Sequence, residues 1–136
     1  MYAGWNTLYG APTLSGPQTW HTTTDGNGQS IDYVNTTNQW GSATNWAVLS
    51  YSASADCAIE VYIPNADADA NPARFEVKTA DGVWHQTPTN EATTSGWMFL
   101  LHYGATSSPP IEIAVPNEDG TTSHQLGIGV YFYWIC

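Results

Sequence analysis

Between Cys57 and Thr79 the chain reads CAIEVYIPNADADANPARFEVKT, and polarity alternates residue by residue on either side of an acidic, proline-bounded loop. In the first run Ile59, Val61 and Ile63 oppose Glu60 and Tyr62. In the second, Phe75 and Val77 oppose Arg74, Glu76 and Lys78. Side chains of a strand point to opposite faces with a period of two, whereas a helix face repeats every 3.6 residues, so both runs predict half-buried strands. Their β-branched and aromatic residues favour the same state. If the two strands are neighbours, Glu60 faces Arg74 or Lys78 across the ladder, a contact worth roughly a few tenths of a kcal/mol.

The same alternation recurs along the chain. Short runs at Trp20-His21 and Ser30 to Val34 flank Asp25-Gly26 and Asn27-Gly28, pairs that signal a tight turn and hence a hairpin. Further strands are expected over Asn45 to Tyr51, Val83 to Thr87 and Ile111 to Val115. GWMFLLHY, from Gly96 to Tyr103, is apolar on both faces and predicts a strand covered on both sides. Gln125 to Cys136 reads as one closing strand, with Ile128, Val130, Phe132 and Trp134 opposed to Gly127, Gly129, Tyr131 and Tyr133. Eight to ten short strands, turn signals about every ten residues and no helical period define an all-β chain. A two-sheet antiparallel β-sandwich, jelly-roll-like, accommodates them. Residues 1-18 mix aromatics with Gly and Pro without a lasting period, which predicts an N-terminal arm before a sandwich domain at 19-136.

A chain of 136 residues is long enough for one core. Twelve carboxylates stand against two basic residues, for a formal charge of −10. That field repels phosphate backbones and anionic lipid, so no nucleic acid partner is expected, and no apolar run approaches a membrane span. Charged residues make up 10% of the chain, with Thr, Ser, Asn and Gly in their place, as in many extracellular β domains. The two cysteines, Cys57 and Cys136, suggest a disulfide in an oxidising compartment, with two buried thiols as the alternative. A bond between them closes a long loop and contributes on the order of 4 kcal/mol in the chain-entropy model. Met1 leads straight into YAGWNTLYG with no basic segment or apolar run. The chain is therefore read as the mature or trimmed form of a secreted protein.

Seven tryptophans in such a chain point to sugar contact. An indole face packs against the C–H face of a pyranose while neighbouring amides and hydroxyls bond its oxygens. Trp46, Trp97 and Trp134 share strand faces with apolar residues and are assigned to the core. Trp20, Trp40 and Trp84 lie beside polar residues and are candidate ligand contacts. Tyr62, Tyr131 and Tyr133 point outward and form an aromatic platform if their strands are adjacent, the competing explanation being cross-strand packing. Asp67, Asp69 and Asn71 have the spacing that opens a calcium loop, but Pro72 replaces the turn glycine and Lys78 the closing glutamate. No metal and no cofactor are expected. His21, His85, His102 and His124 are scattered, no nucleophile elbow occurs, and the carboxylates lie in turns or on outward faces, so catalysis is not expected.

An early Trp20, GNGQSIDY, NWAVLSYS, EVYIPN, ARFEVKTADG and a later Gly96-Trp97 succeed one another in an order that resembles the golvesin C-terminal-like domains, found on secreted bacterial enzymes such as xanthan lyases. The resemblance runs from Gly16 over most of the chain. It implies a non-catalytic, carbohydrate-binding-like accessory domain whose partner is a polysaccharide or cell-surface glycan. The alternative, from another class, is an extracellular structural or adhesive subunit whose arm and sheet edges serve self-assembly or a protein partner.

Overall fold

The computed structural model describes residues 7–38, 43–51 and 56–136. Every regular element among them is a strand: β1 (Thr7–Gly10), β2 (Thr13–Ser15), β3 (His21–Thr24), β4 (Ser30–Asn35), β5 (Trp46–Ser50), β6 (Ala58–Ile63), β7 (Ala73–Thr79), β8 (Trp84–Thr89), β9 (Gly96–Leu101), β10 (Pro110–Pro116), β11 (Gln125–Gly129) and β12 (Phe132–Ile135). They pair antiparallel in a four-stranded sheet, β1-β12-β6-β9, a five-stranded sheet, β2-β5-β10-β7-β8, and a small sheet, β11-β4-β3. The two larger sheets make the expected sandwich. Its core joins Ile59, Val61 and Ile63 of β6 to Phe75 and Val77 of β7, Ile113 and Val115 of β10 and Trp134 of β12, all buried. Trp134 still satisfies its indole N–H, which donates to the Pro110 carbonyl at 3.2 Å.

Two expectations change. β6 and β7 are consecutive strands with the alternation expected of them, but the loop between them carries the chain from one sheet to the other. Glu60 therefore faces neither Arg74 nor Lys78; its register partners are Tyr133 and Phe99. Arg74 instead lies 3.9 Å from Glu118, and the Lys78 ammonium sits 5.8 Å over the Trp84 ring. The closing run is also two strands rather than one. β11 pairs with β4, the chain changes sheets at Val130 and Tyr131, and β12 pairs with β1 and β6. The alternation runs through the break, so periodicity could not reveal it.

Glycine allows β11 to pack where it does. A Cβ on Gly127 would stand 2.6 Å from the Ala68 Cβ, and one on Gly129 would stand 2.8 Å from the Tyr62 Cβ. Residues 7 to 15, within the stretch read as an arm, form β1 and β2. Each extends one edge of a larger sheet, β1 on β12 and β2 on β5.

Cys57 and Cys136 form the disulfide. The β6-β12 ladder sets its position: Ala58 lies opposite Ile135, so the next residue outward on each strand is a cysteine. The bond spans 79 positions of sequence. Replacing both cysteines with serine is expected to lower stability by about 2–5 kcal/mol. Urea unfolding of the variant beside the oxidised parent would measure the loss, and equal midpoints would show that the ladder alone holds β12.

Glu91 is a buried carboxyl in the segment after β8. Its Oε1 accepts from the Gly127 N–H at 3.0 Å, while no protein donor among the described residues reaches Oε2. Burial pushes its pKa well above the ordinary 4.5; the Gly127 amide offsets part of this, and the charges of Asp69 and Asp119 add to it. For an acid raised on folding, the protein is favoured while Glu91 is protonated, below about 4.5, and loses that contribution as pH rises through the folded value. Glu91→Gln removes this titration. Parent minus variant stability should therefore fall as pH rises above about 4.5, and a difference that stays flat by chemical denaturation would contradict the raised pKa.

Candidate functional site

The outer face of the four-stranded sheet carries a row of rings that strand alternation and register assemble together. β12 lies between β1 and β6, which places Tyr9 opposite Tyr133 and Tyr133 opposite Glu60. Across the next ladder Glu60 meets Phe99, and Tyr62 meets Trp97. Tyr131, two residues before Tyr133, falls on the same face. The rings touch in sequence: Tyr62 to Trp97 at 5.2 Å between centroids, Trp97 to Tyr133 at 5.3 Å, Tyr133 to Tyr9 at 5.8 Å and Tyr9 to Tyr131 at 5.3 Å. These spacings suit favourable edge-to-face and tilted ring contacts. They also leave much apolar surface in solvent, since Tyr9 is 66%, Tyr131 43% and Trp97 40% exposed. A cavity of about 260 Å³ opens within the cluster. Trp97, Tyr131 and Tyr133 line it with Gly129, and the uncharged polar residues Gln29 and Ser30 from the β3-β4 turn and the start of β4 complete the lining.

The rim is held by a polar network around Asp25. Its Oδ1 accepts from the backbone N–H of Asn27 at 2.9 Å and of Gln29 at 3.0 Å, closing the turn between β3 and β4 on itself. Its Oδ2 accepts from the Tyr62 hydroxyl at 2.6 Å and from the Asn65 N–H at 3.2 Å. Asn27 Nδ2 donates back to the Tyr62 hydroxyl at 3.0 Å, and Asn65 accepts from the Gly26 N–H at 2.8 Å. Burial works to raise Asp25, but the bonds from Tyr62, Gln29, Asn65 and Asn27 outweigh it and hold the carboxyl below its ordinary value. Burial raises the Tyr62 phenol, and its bond to Asp25 adds to the effect. Asp25 is thus an anchor with its lone pairs engaged, a poor starting point for a general acid or base.

The structure brings Tyr62, Tyr131 and Tyr133 to one face because β6 and β12 are neighbours. Tyr62 is only 4% exposed, so it serves as the floor under the cavity rather than as an open platform. Trp20 stands apart, packed against the core with its indole N–H donating to the Ser15 carbonyl at 3.1 Å. Trp84 is exposed on β8, at the edge of the other large sheet, beneath Lys78. Trp40 lies outside the described residues. The sequence reading missed two members of the cluster. Trp97 was assigned to the core because Gly96 to Tyr103 is apolar on both faces; the outer face of β9 is partly open to solvent at this residue. Tyr9 was hidden in an aperiodic stretch. The register of Thr7 to Gly10 against the tyrosine-rich end of the chain is the signal that finds it.

Among the described residues no group of three or more His, Cys, Asp and Glu side chains is placed to hold a metal ion. The Asp67 to Asn71 loop has a different use: Asp69 Oδ1 accepts from the Gln125 N–H at 2.7 Å, tying the loop to β11.

No protein-family model matches the chain, and no curated protein sequence matches it. Solved structures do. The C-terminal family 6 carbohydrate-binding module of LamC, a marine laminarinase from Zobellia galactanivorans, superposes with a TM-score of 0.55 at 10% identity, covering 96% of this chain and 100% of the module. The family 32 module of NanJ from Clostridium perfringens, solved with galactose, gives 0.47 at 12% identity over 93% of this chain and 99% of that one. The family 51 module from Clostridium perfringens GH95, solved with methyl-galactose, gives 0.41 at 13% identity over 95% and 93%. The likeness to the laminarinase module shows the fold, an all-β sandwich of the kind found in carbohydrate-binding modules. It does not single out the golvesin-like domains. The resemblance therefore stands at the level of that fold.

Because Asp25 ties the turn to Tyr62, removing one hydroxyl should loosen the rim without touching the rings. Tyr62→Phe is expected to cost about 1–3 kcal/mol, the usual effect of losing a bond to a buried charged group. Exchange of the Asn27 and Gln29 amide hydrogens should quicken. For a depressed carboxyl the stabilisation is present above the ordinary 3.8 and lost as pH falls through the lower folded value. Exchange rates at Asn27 and Gln29 matching the parent at neutral pH would remove the Tyr62 hydroxyl from this role.

Proposed function

We propose that this chain is a non-catalytic module that binds carbohydrate on the aromatic face of its four-stranded sheet. The observation that carries the reading is the coincidence of exposed rings and a cavity: Trp97, Tyr131 and Tyr133 line it together with the uncharged polar residues Gln29 and Ser30. Aromatic faces that exclude water from the C–H face of a pyranose, beside neutral groups for its hydroxyls, are the chemistry that sugar recognition needs. Tyr62 contributes by positioning the rim, and the sandwich fold supports the reading as fold only. Its most specific family form would be a golvesin-like accessory module acting on extracellular glycan. The disulfide agrees with an oxidising, extracytosolic setting. The adhesive-subunit alternative asked for a free N-terminal arm, and Thr7 to Gly10 are already paired with the chain's own β12.

A glycan array probed with the parent chain tests this reading. Binding is expected, with at least tenfold weakening by Trp97→Ala and by Tyr133→Ala, and little change with Trp20→Ala or Trp84→Ala. If no glycan binds at millimolar sensitivity, or if Trp84→Ala abolishes binding while Trp97→Ala does not, the site is misplaced.

A further inference from the structure

The rings of the row differ in tilt. Tyr9 and Tyr133 are tilted by only 34° to each other, with centroids 5.8 Å apart. Trp97 stands at 73° to Tyr133 and Tyr131 at 78° to Tyr9. Rings set this way cannot lie flat together on an extended crystalline surface. Trp97, on the edge strand β9, stands at one end of the row, and Tyr9, on the opposite edge strand β1, lies toward the other.

Size and charge narrow the occupant. The cavity of about 260 Å³ lies just below the roughly 300–1,000 Å³ of ordinary small-ligand clefts, which suits one sugar ring rather than a chain. A second ring must leave it. Tyr9 does not line the cavity, yet its ring lies 5.3 and 5.8 Å from those of Tyr131 and Tyr133, which do. No lysine or arginine occurs in the four-stranded sheet, since Arg74 and Lys78 both belong to β7 of the other large sheet. Glu60 lies in the row between Tyr133 and Phe99, and the whole chain carries −10. An anionic sugar would enter a negative field with no cation to meet it.

We infer that the site has two subsites and takes an uncharged glycan of at least two sugars, with one ring held beside Trp97 and the next stacked on Tyr9. This rests on the carbohydrate-binding reading and adds to it a ligand length, a direction across the strands and a charge class.

Calorimetric titration separates the two claims. The probes are glucose, galactose, cellobiose, laminaribiose and lactose, with glucuronic and galacturonic acids as charged counterparts. At least one neutral disaccharide is expected to bind about tenfold more tightly than the better of its component sugars, a gain of about 1.4 kcal/mol. Tyr9→Ala should erase that gain and leave the monosaccharide affinity within twofold, whereas Trp97→Ala should weaken both. Tyr9→Trp should restore the gain, which guards against a merely structural effect at β1. Affinity should hold within twofold from 50 to 500 mM NaCl, and the acids should bind at least tenfold more weakly than their neutral parents. Equal affinities for single sugars and disaccharides, or a gain that survives Tyr9→Ala, would overturn the two-subsite arrangement while leaving sugar binding intact. Acids bound as tightly as neutral sugars would overturn the charge class. A parent chain that binds none of the neutral sugars here and no glycan on the array would defeat the reading beneath both.

Discussion

The pairing of β12 with β6 is the interaction on which the rest of this molecule depends. β6 is buried along its whole length, and its two faces serve opposite ends. Inward, Ile59, Val61 and Ile63 meet the five-stranded sheet in the core. Outward, Glu60 and Tyr62 lie beneath the aromatic cluster, where a strand of an isolated two-layer sandwich would meet water. β12 supplies Trp134 to the core from one face and Tyr133 to the cluster from the other, and the disulfide fastens the end of this ladder. Register here is more than bookkeeping. A slip by one residue would exchange Trp134 with Tyr133, emptying the core and dismantling the cluster together.

Around that ladder, rigid and polar parts divide the work. The rings stand on strands, so their spacing follows from sheet geometry. The rim stands on a turn, which would be mobile without attachment, and Asp25 attaches it through bonds to Asn27, Gln29, Tyr62 and Asn65. A charged anchor is tolerated because every bond it accepts comes from a close donor, so its burial is offset. Glu91 illustrates the contrast. It is more deeply buried, has one bonded oxygen and acidic neighbours, and its pKa moves in the opposite direction. One carboxyl is held charged by its donors and the other is driven toward the neutral form by its burial and its acidic neighbours.

Much of this was legible in the chain itself, and the misses have specific causes. Periodicity identified the inward residues of β6 and β7, the hairpin around Asp25 to Gly28 and the outward placement of Tyr131 and Tyr133, because alternation is a local property of a strand. It misassigned Trp97, because a run that is apolar on both faces contains no alternation to read. It merged β11 with β12, because Val130 and Tyr131 change sheets without disturbing the pattern. It paired Glu60 with the basic residues of the next strand because sequential strands often neighbour each other, and here the connection crosses the sandwich instead.

By itself, then, the sequence determined that the chain is all-β, which side chains face inward on most strands, that the field is strongly negative, and that two cysteines were available to bond. Each follows from composition or from a period of two, and neither requires knowing which strand lies beside which. Strand order was decided by tertiary structure, and with it the meeting of Tyr9, Tyr62, Trp97 and Tyr133, residues up to 124 positions apart that share one face of one sheet. The reason is physical: alternation is written within a strand, whereas adjacency arises from burying both large sheets against each other, a condition that many orders could meet and the whole chain must satisfy at once.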